Sequence, residues 1–99
     1  MLRKLINLLF DSAMLNFPAR HTFSAVGKTN GDDGAVQEYV EEVKRVVLET
    51  SGDNDATWEI RPRGSKFTKV QCEVEVQSST MVNTIYEDIS NLERTVMRF

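Results

Sequence analysis

Two side chains in this 99-residue chain have obvious reaction chemistry, a lone histidine and a lone cysteine, His21 and Cys72. A histidine titrates near neutrality and serves as base or ligand. His21 sits in an alternating segment, Arg20 to Gly27, with Phe23 and Ala25 on its own side. That parity turns it inward and favours a partly buried structural role. Cys72 falls in mid-strand, in step with Val70, Val74 and Val76. A reactive thiol needs an exposed, electropositive setting, so core packing is expected. One cysteine makes no internal disulfide, and one cysteine with one histidine makes no four-ligand zinc site. Nothing in the residue set points to a bound cofactor.

Acidic and glycine-rich loops come next. Asp32, Asp33, Asp53 and Asp55 occupy two loops without the dense ligand series and closing glutamate of a calcium loop. They read as helix caps and solvated turns. Gly27, Gly31 and Gly34 lie between the first strand and the first helix. A phosphate loop would need a lysine and a Ser/Thr after the last glycine, and these are missing. Cations gather elsewhere. Arg61, Arg63, Lys66 and Lys69 cluster around a hairpin, a basic spot suited to a carboxylate or a phosphate. Hairpin cations also discourage sheet aggregation, which is the competing reason for them. With Gly27, Lys28 and Ser65 they form the candidate set of ligand or partner contacts.

These residues need elements to hold them. Val36, Tyr39, Val40, Val43, Val46 and Val47 recur at helical spacing and predict a helix over 35–50, capped by Asp32 or Asp33. Val82, Ile85, Tyr86, Ile89 and Leu92 predict a second helix, starting at Ser78, Ser79 or Thr80 and ending near Asn91. Strands are predicted over 20–27, 57–61, 67–77 and 95–99. In the third, Val70, Cys72, Val74 and Val76 alternate with charged and amide residues, so one face is buried and one is wet. Pro62 belongs at an edge, an end or a bulge. The order strand, helix, strand, strand, helix, strand predicts an α+β, two-layer ferredoxin-like βαββαβ sandwich. Its core would hold Phe23, Ala25, Trp58, Ile60, Val70, Cys72, Val74 and Met97. Its wet sheet face would hold Ser24, Val26, Arg61, Lys69, Gln71, Glu73 and Glu75.

Length and composition set outer bounds. Apolar residues make up 40% of the chain and charged residues 27%, ordinary globular usage for one domain. The net charge of −3 argues against nucleic acid, whose binders neutralise phosphate with a basic footprint. The wet face puts Gln and Glu where an RNA-binding sheet needs stacking aromatics. No apolar run approaches the ~20 residues of a membrane span. Residues 1–13 stand apart: Leu2, Leu5, Ile6 and Leu9 follow helical spacing beside Arg3 and Lys4. They predict a short N-terminal helix over 3–10, docked on a domain spanning 14–99. The cytoplasm fits a single free cysteine. A mitochondrion or plastid is the alternative if residues 1–11 belong to a targeting segment.

Several short motifs occur in a telling order. They are Phe17-Pro18 before a strand ending at Gly27, Ile60-Arg61-Pro62, Ser65-Lys66-Phe67 with Val70, Ile85-Tyr86-Glu87-Asp88-Ile89, and Met97-Arg98-Phe99. Over about residues 14–99 the chain resembles the YbeD-like family of small, mostly bacterial proteins of uncharacterised function. The resemblance implies a βαββαβ fold with antiparallel sheet order 4-1-3-2, similar to ACT-type regulatory domains. It implies no catalytic residue and a regulatory role, for which links to lipoate metabolism have been proposed. The chain departs from the family at His21, where relatives carry an aromatic, and in a longer loop over 29–34.

Three functional expectations follow. The first is a non-enzymatic regulatory or adaptor domain that binds a protein or a small anionic metabolite. The second is an ACT-like homodimer, paired through the wet face or an edge strand with ligand at the seam. The third is a small acylphosphatase-like hydrolase. That activity needs an arginine in the first strand–helix loop, where this chain offers only Lys28 and Asn30.

Overall fold

A computed structural model describes residues 17–99. The expected helix over 3–10 lies outside the described residues. The elements are β1 (Ala19–Lys28), α1 (Asp33–Ser51), β2 (Thr57–Arg63), β3 (Phe67–Val76), α2 (Ser79–Ser90) and β4 (Thr95–Arg98). The four strands form one antiparallel sheet in the order β2-β3-β1-β4, which is the expected 4-1-3-2 arrangement read from the other side. The fold is the ferredoxin-like βαββαβ sandwich.

Local chemistry sets the helix boundaries. The Asp32 carboxylate accepts the Ala35 backbone N–H at 2.8 Å and caps α1. The helix ends at Gly52, whose φ of 64° is left-handed and lets its N–H bond back to Leu48. The Ser78 hydroxyl accepts the Met81 N–H at 3.1 Å and caps α2. Both helices lay their stripes on one sheet face. Tyr39, Val43, Val47, Ile85 and Ile89 are buried there against Phe23, Ala25, Val70, Cys72, Val74 and Val76. Burying each valine, isoleucine and phenylalanine side chain among them contributes about 1.5–3 kcal/mol.

Gly27 is needed at the junction of α1 and β1. A Cβ there would lie 2.5 Å from the Tyr39 ring. The bare backbone lets that ring lie flat on β1, and its hydroxyl reaches Thr95 Oγ1 at 2.8 Å. One tyrosine thus ties α1 to the outer strand β4.

Three expected core residues sit elsewhere. Trp58 is half-buried at the margin of the core, with the Lys44 ammonium 5.6 Å above its ring. Ile60 is 40% exposed. Both belong to β2, the outermost strand on its side, which the two helices do not fully cover. Met97 is on the opposite face altogether. It stands across from Val26, and directly opposed residues of an antiparallel pair share a face. A bulge between Val26 and Gly27 shifts the β1–β4 register, so counting along β4 does not give its parity. Conversely, Val26 and Ser24, expected to be wet, are buried although they lie on the open face. Val26 sits beneath Met97, and the backbone of Ser24 pairs with that of Phe99.

Candidate functional site

The side chains with acid–base chemistry are taken up on the helix face. His21 Nε2 and the Tyr86 hydroxyl share a hydrogen bond of 3.1 Å. The imidazole lies tilted against the Phe23 ring, centres 4.5 Å apart, and burial lowers its pKa below the ordinary value. Burial raises the Tyr86 phenol, while the Arg98 guanidinium lies 5.3 Å over the Tyr86 ring. Cys72 is buried, and burial pushes its thiol up to about 11, so it stays protonated at neutral pH.

The open face has two unlike ends. Near the start of β1, Arg20 contacts Asp53 and Glu73, each at 3.5 Å. Asp53 also accepts the backbone N–H groups of Glu75 at 2.8 Å and Asp55 at 2.9 Å. Those two bonds, with the Arg20 charge behind them, hold its carboxyl below the ordinary carboxylate value.

The other end is built where β1 leaves the sheet and the β2–β3 hairpin turns. Gly64 takes φ 72° at that turn. The Lys66 carbonyl accepts the N–H groups of Thr29 and Asn30, both at 2.9 Å. Buried Thr29 and Thr68 share a hydroxyl hydrogen bond of 2.7 Å beneath them. The hairpin is thereby stapled to the β1–α1 loop. On this face, Phe99 pairs its backbone with Ser24 and brings its ring near two cations. The Arg63 guanidinium lies 5.9 Å from its ring centre and the Lys69 ammonium 5.4 Å. Arg63 Nη1 is 3.9 Å from the Met97 sulfur. Val26, Arg63, Phe67, Val96 and Met97 line a shallow, mainly apolar depression of about 170 Å³.

The residues predicted for the site divide accordingly. Arg63 and Lys69 meet around Phe99, and Lys28 stands across from Phe67 at the same end. Ser65 and Lys66 form the exposed hairpin tip. Arg61 is taken: its guanidinium bonds the Glu59 carboxylate at 2.6 Å, lowering the pKa of one and raising that of the other. Gly27 is buried under Tyr39 and presents no surface. The sequence reading missed Phe99, Met97, Val96 and Phe67. The closing Met97-Arg98-Phe99 run was visible, but its face depends on the bulge. Glu59 could have been found, since it shares a face of β2 with Arg61 by simple alternation.

Among the described residues, no group of three or more His, Cys, Asp or Glu could hold a metal ion. None of the described helices is long and apolar enough to cross a membrane.

Comparison with known proteins places this arrangement. Residues 12–99 match the family model described as protein of unknown function DUF493. This agrees with the resemblance to YbeD-like proteins. No curated protein matches the chain. Two solution structures of HP0495 from Helicobacter pylori are similar, each at 20% identity. One has a TM-score of 0.63, covering 84% of this chain and 82% of that one; the other has 0.55, covering 84% and 87%. The C-terminal domain of the MgtC protein from Mycobacterium tuberculosis is also similar, with a TM-score of 0.54 at 13% identity, covering 81% and 82%. At these identities the likeness establishes the fold.

Proposed function

This chain belongs to the DUF493 family, proteins of unknown function, and from that premise we propose that it is a non-enzymatic regulatory or adaptor domain that recognises a protein through the cationic, apolar corner of its open sheet face. One observation carries the reading. Met97 and Phe99 are each 48% exposed, and they gather at the corner where Arg63 and Lys69 flank an apolar depression. Exposed apolar groups rimmed by polar ones mark interaction sites. Aromatic and arginine side chains are also the types enriched at protein interfaces.

Size favours a protein over a small metabolite. Pockets that enclose small molecules hold roughly 300–1,000 Å³. The depression of about 170 Å³ is shallower than that and suits one anchoring side chain. The helix-face groups support a non-enzymatic role, because His21 and Cys72 are engaged in packing.

The test is affinity purification with parent and Met97→Asp baits. A specific partner lost with Met97→Asp and retained by a Gln71→Ala bait supports the reading. Recovery independent of Met97, or a metabolite that raises the melting temperature without any protein partner, counts against it.

An ACT-like homodimer is favoured by a different feature, the edge strand β4. Val96 is 56% exposed there beside a cleft of about 420 Å³ between β4 and Ser90 of α2. Light scattering at high concentration decides it: a dimer that Val96→Lys dissociates supports this reading, and a monomer removes it.

A further inference from the structure

We infer that the partner meets this corner with an acidic segment, placing one apolar side chain in the depression and carboxylates on Arg63 and Lys69. This inference rests on the open-face reading above and names the chemistry of the occupant. Among the described residues, Arg20, Arg45, Arg61 and Arg94 each contact a carboxylate. Lys28, Lys44, Arg63, Lys66, Lys69 and Arg98 form no such pair; of these, Arg63 and Lys69 lie against the Phe99 ring, and the Lys69 charge also acts on the Glu59 carboxyl. Arg63 itself forms part of the wall of the depression. Any surface that covers the depression therefore takes Arg63 out of water and crowds Lys69. Burying a cation without a counter-charge is strongly unfavourable, so an occupant that brings an anion to Arg63 is favoured, with Lys69, across from Val26, as a second cation close by.

Other occupants fit worse. A second copy brought onto this corner by a two-fold axis would add the same cations from both sides of the seam. A nucleic-acid strand running along the sheet would meet Glu59, Glu73 and Glu75 on the same face. The guanidinium of Arg63 matches a carboxylate in a two-pronged fashion, while Lys69 supplies a point charge beside the same ring. An extended segment meets these demands when its acids lie within a residue or two of an aliphatic or aromatic anchor.

The test selects random 12-residue peptides displayed on phage against the folded full chain, then measures binding of the selected peptides by fluorescence anisotropy. Enrichment of Asp and Glu beside a Leu, Phe or Trp is expected, with affinity falling as salt rises. Arg63→Glu with Lys69→Glu should weaken those peptides by about tenfold or more. Peptides whose acids are changed to lysine should regain binding on that same double variant, a gain that misfolding cannot mimic. Selected peptides that depend on Met97 but carry no excess of acids overturn the acidic segment and leave the corner as a binding surface. Selection that yields no Met97-dependent binder overturns both.

Discussion

Arg20 and Arg63 stand at opposite ends of one sheet face, and the chain treats them differently. Arg20 is held between Asp53 and Glu73. Arg63 lies over Phe99 and Met97 with no carboxylate among the described residues. An exposed ion pair contributes at most about 1 kcal/mol, so the difference between the ends is small as a matter of folding. It is large as a matter of recognition. At the first end the fold itself supplies the anions a cation would attract. At the second those places are left vacant beside exposed apolar side chains. A surface that pairs its own charges has little to offer a partner, while one that leaves cations beside exposed hydrophobics has both attraction and specificity in reserve.

The strongest way to break this contrast is to show that the second end is merely core. Phe23 and Phe99 both lie on the sheet, one fully buried and one 48% exposed. Phe23→Ala is expected to cost about 3–5 kcal/mol of stability by denaturant unfolding. Phe99→Ala keeps the backbone bonds to Ser24 and should cost under about 1 kcal/mol. Equal losses would make Phe99 a structural residue and end the comparison.

A smaller effect should come from beneath the cationic end. Gly27→Ala brings a methyl group against the Tyr39 ring and forces α1 to shift on β1. Overpacking of this kind costs about 1–3 kcal/mol. It should also disturb the Tyr39–Thr95 tie to β4, seen as changed chemical shifts for Met97 and Phe99. Arg20 and Asp53, at the far end, should keep theirs.

The reach of sequence reasoning follows the same divide. The helix starts are legible to within two or three residues, Asp32 or Asp33 for the first and Ser78, Ser79 or Thr80 for the second, because capping is a local matter; the structure selects Asp32 and Ser78. The buried face of β3 was legible because a strand's period is set by its own backbone. The candidate cations were legible as a cluster around a hairpin. Which of them are free was not, because that depends on partners such as Glu59 and on Phe99 arriving from a strand far along the chain. Met97 was assigned to the wrong face because its parity is fixed by a bulge opposite a sequence-distant strand. Ile60 was placed in the core because its alternation is correct, but two helices do not reach across four strands. Local rules give the elements; the cationic, apolar corner is assembled from β1, β2, β3 and β4 together and is a property of register.

The paired end should reveal itself through pH. The Asp53 carboxyl is held below its ordinary value by the Glu75 and Asp55 N–H groups and by Arg20. A depressed carboxylate contributes stability that is fully present above its unfolded pKa of about 3.9 and is lost as pH falls through the folded value. Asp53→Asn should therefore melt below the parent at pH 7, and the gap should close as pH falls below about 4. A gap that persists unchanged at pH 2 would mean that Asp53 acts through shape and not charge.

The smallest expected effect bears most directly on the cationic end. Arg63→Ala and Lys69→Ala should each change unfolding free energy by no more than about 1 kcal/mol, since Arg63 is exposed, Lys69 half-buried, and each makes a single cation–ring contact. Arg63→Ala should show no counterpart to the Asp53 pH window, because Arg63 has no carboxylate mate among the described residues, whereas the Lys69 charge helps to lower the Glu59 carboxyl. Their contacts with Phe99 are exposed cation–ring contacts, worth about 0.5–1 kcal/mol at most and partly replaced by water when removed. Loss of well over 1 kcal/mol would place both side chains among the fold's own supports and leave no reason to look for a partner's acids. Retained stability together with lost peptide binding would separate the two ends cleanly, since the corresponding Arg20→Ala change should lower stability and leave that binding intact.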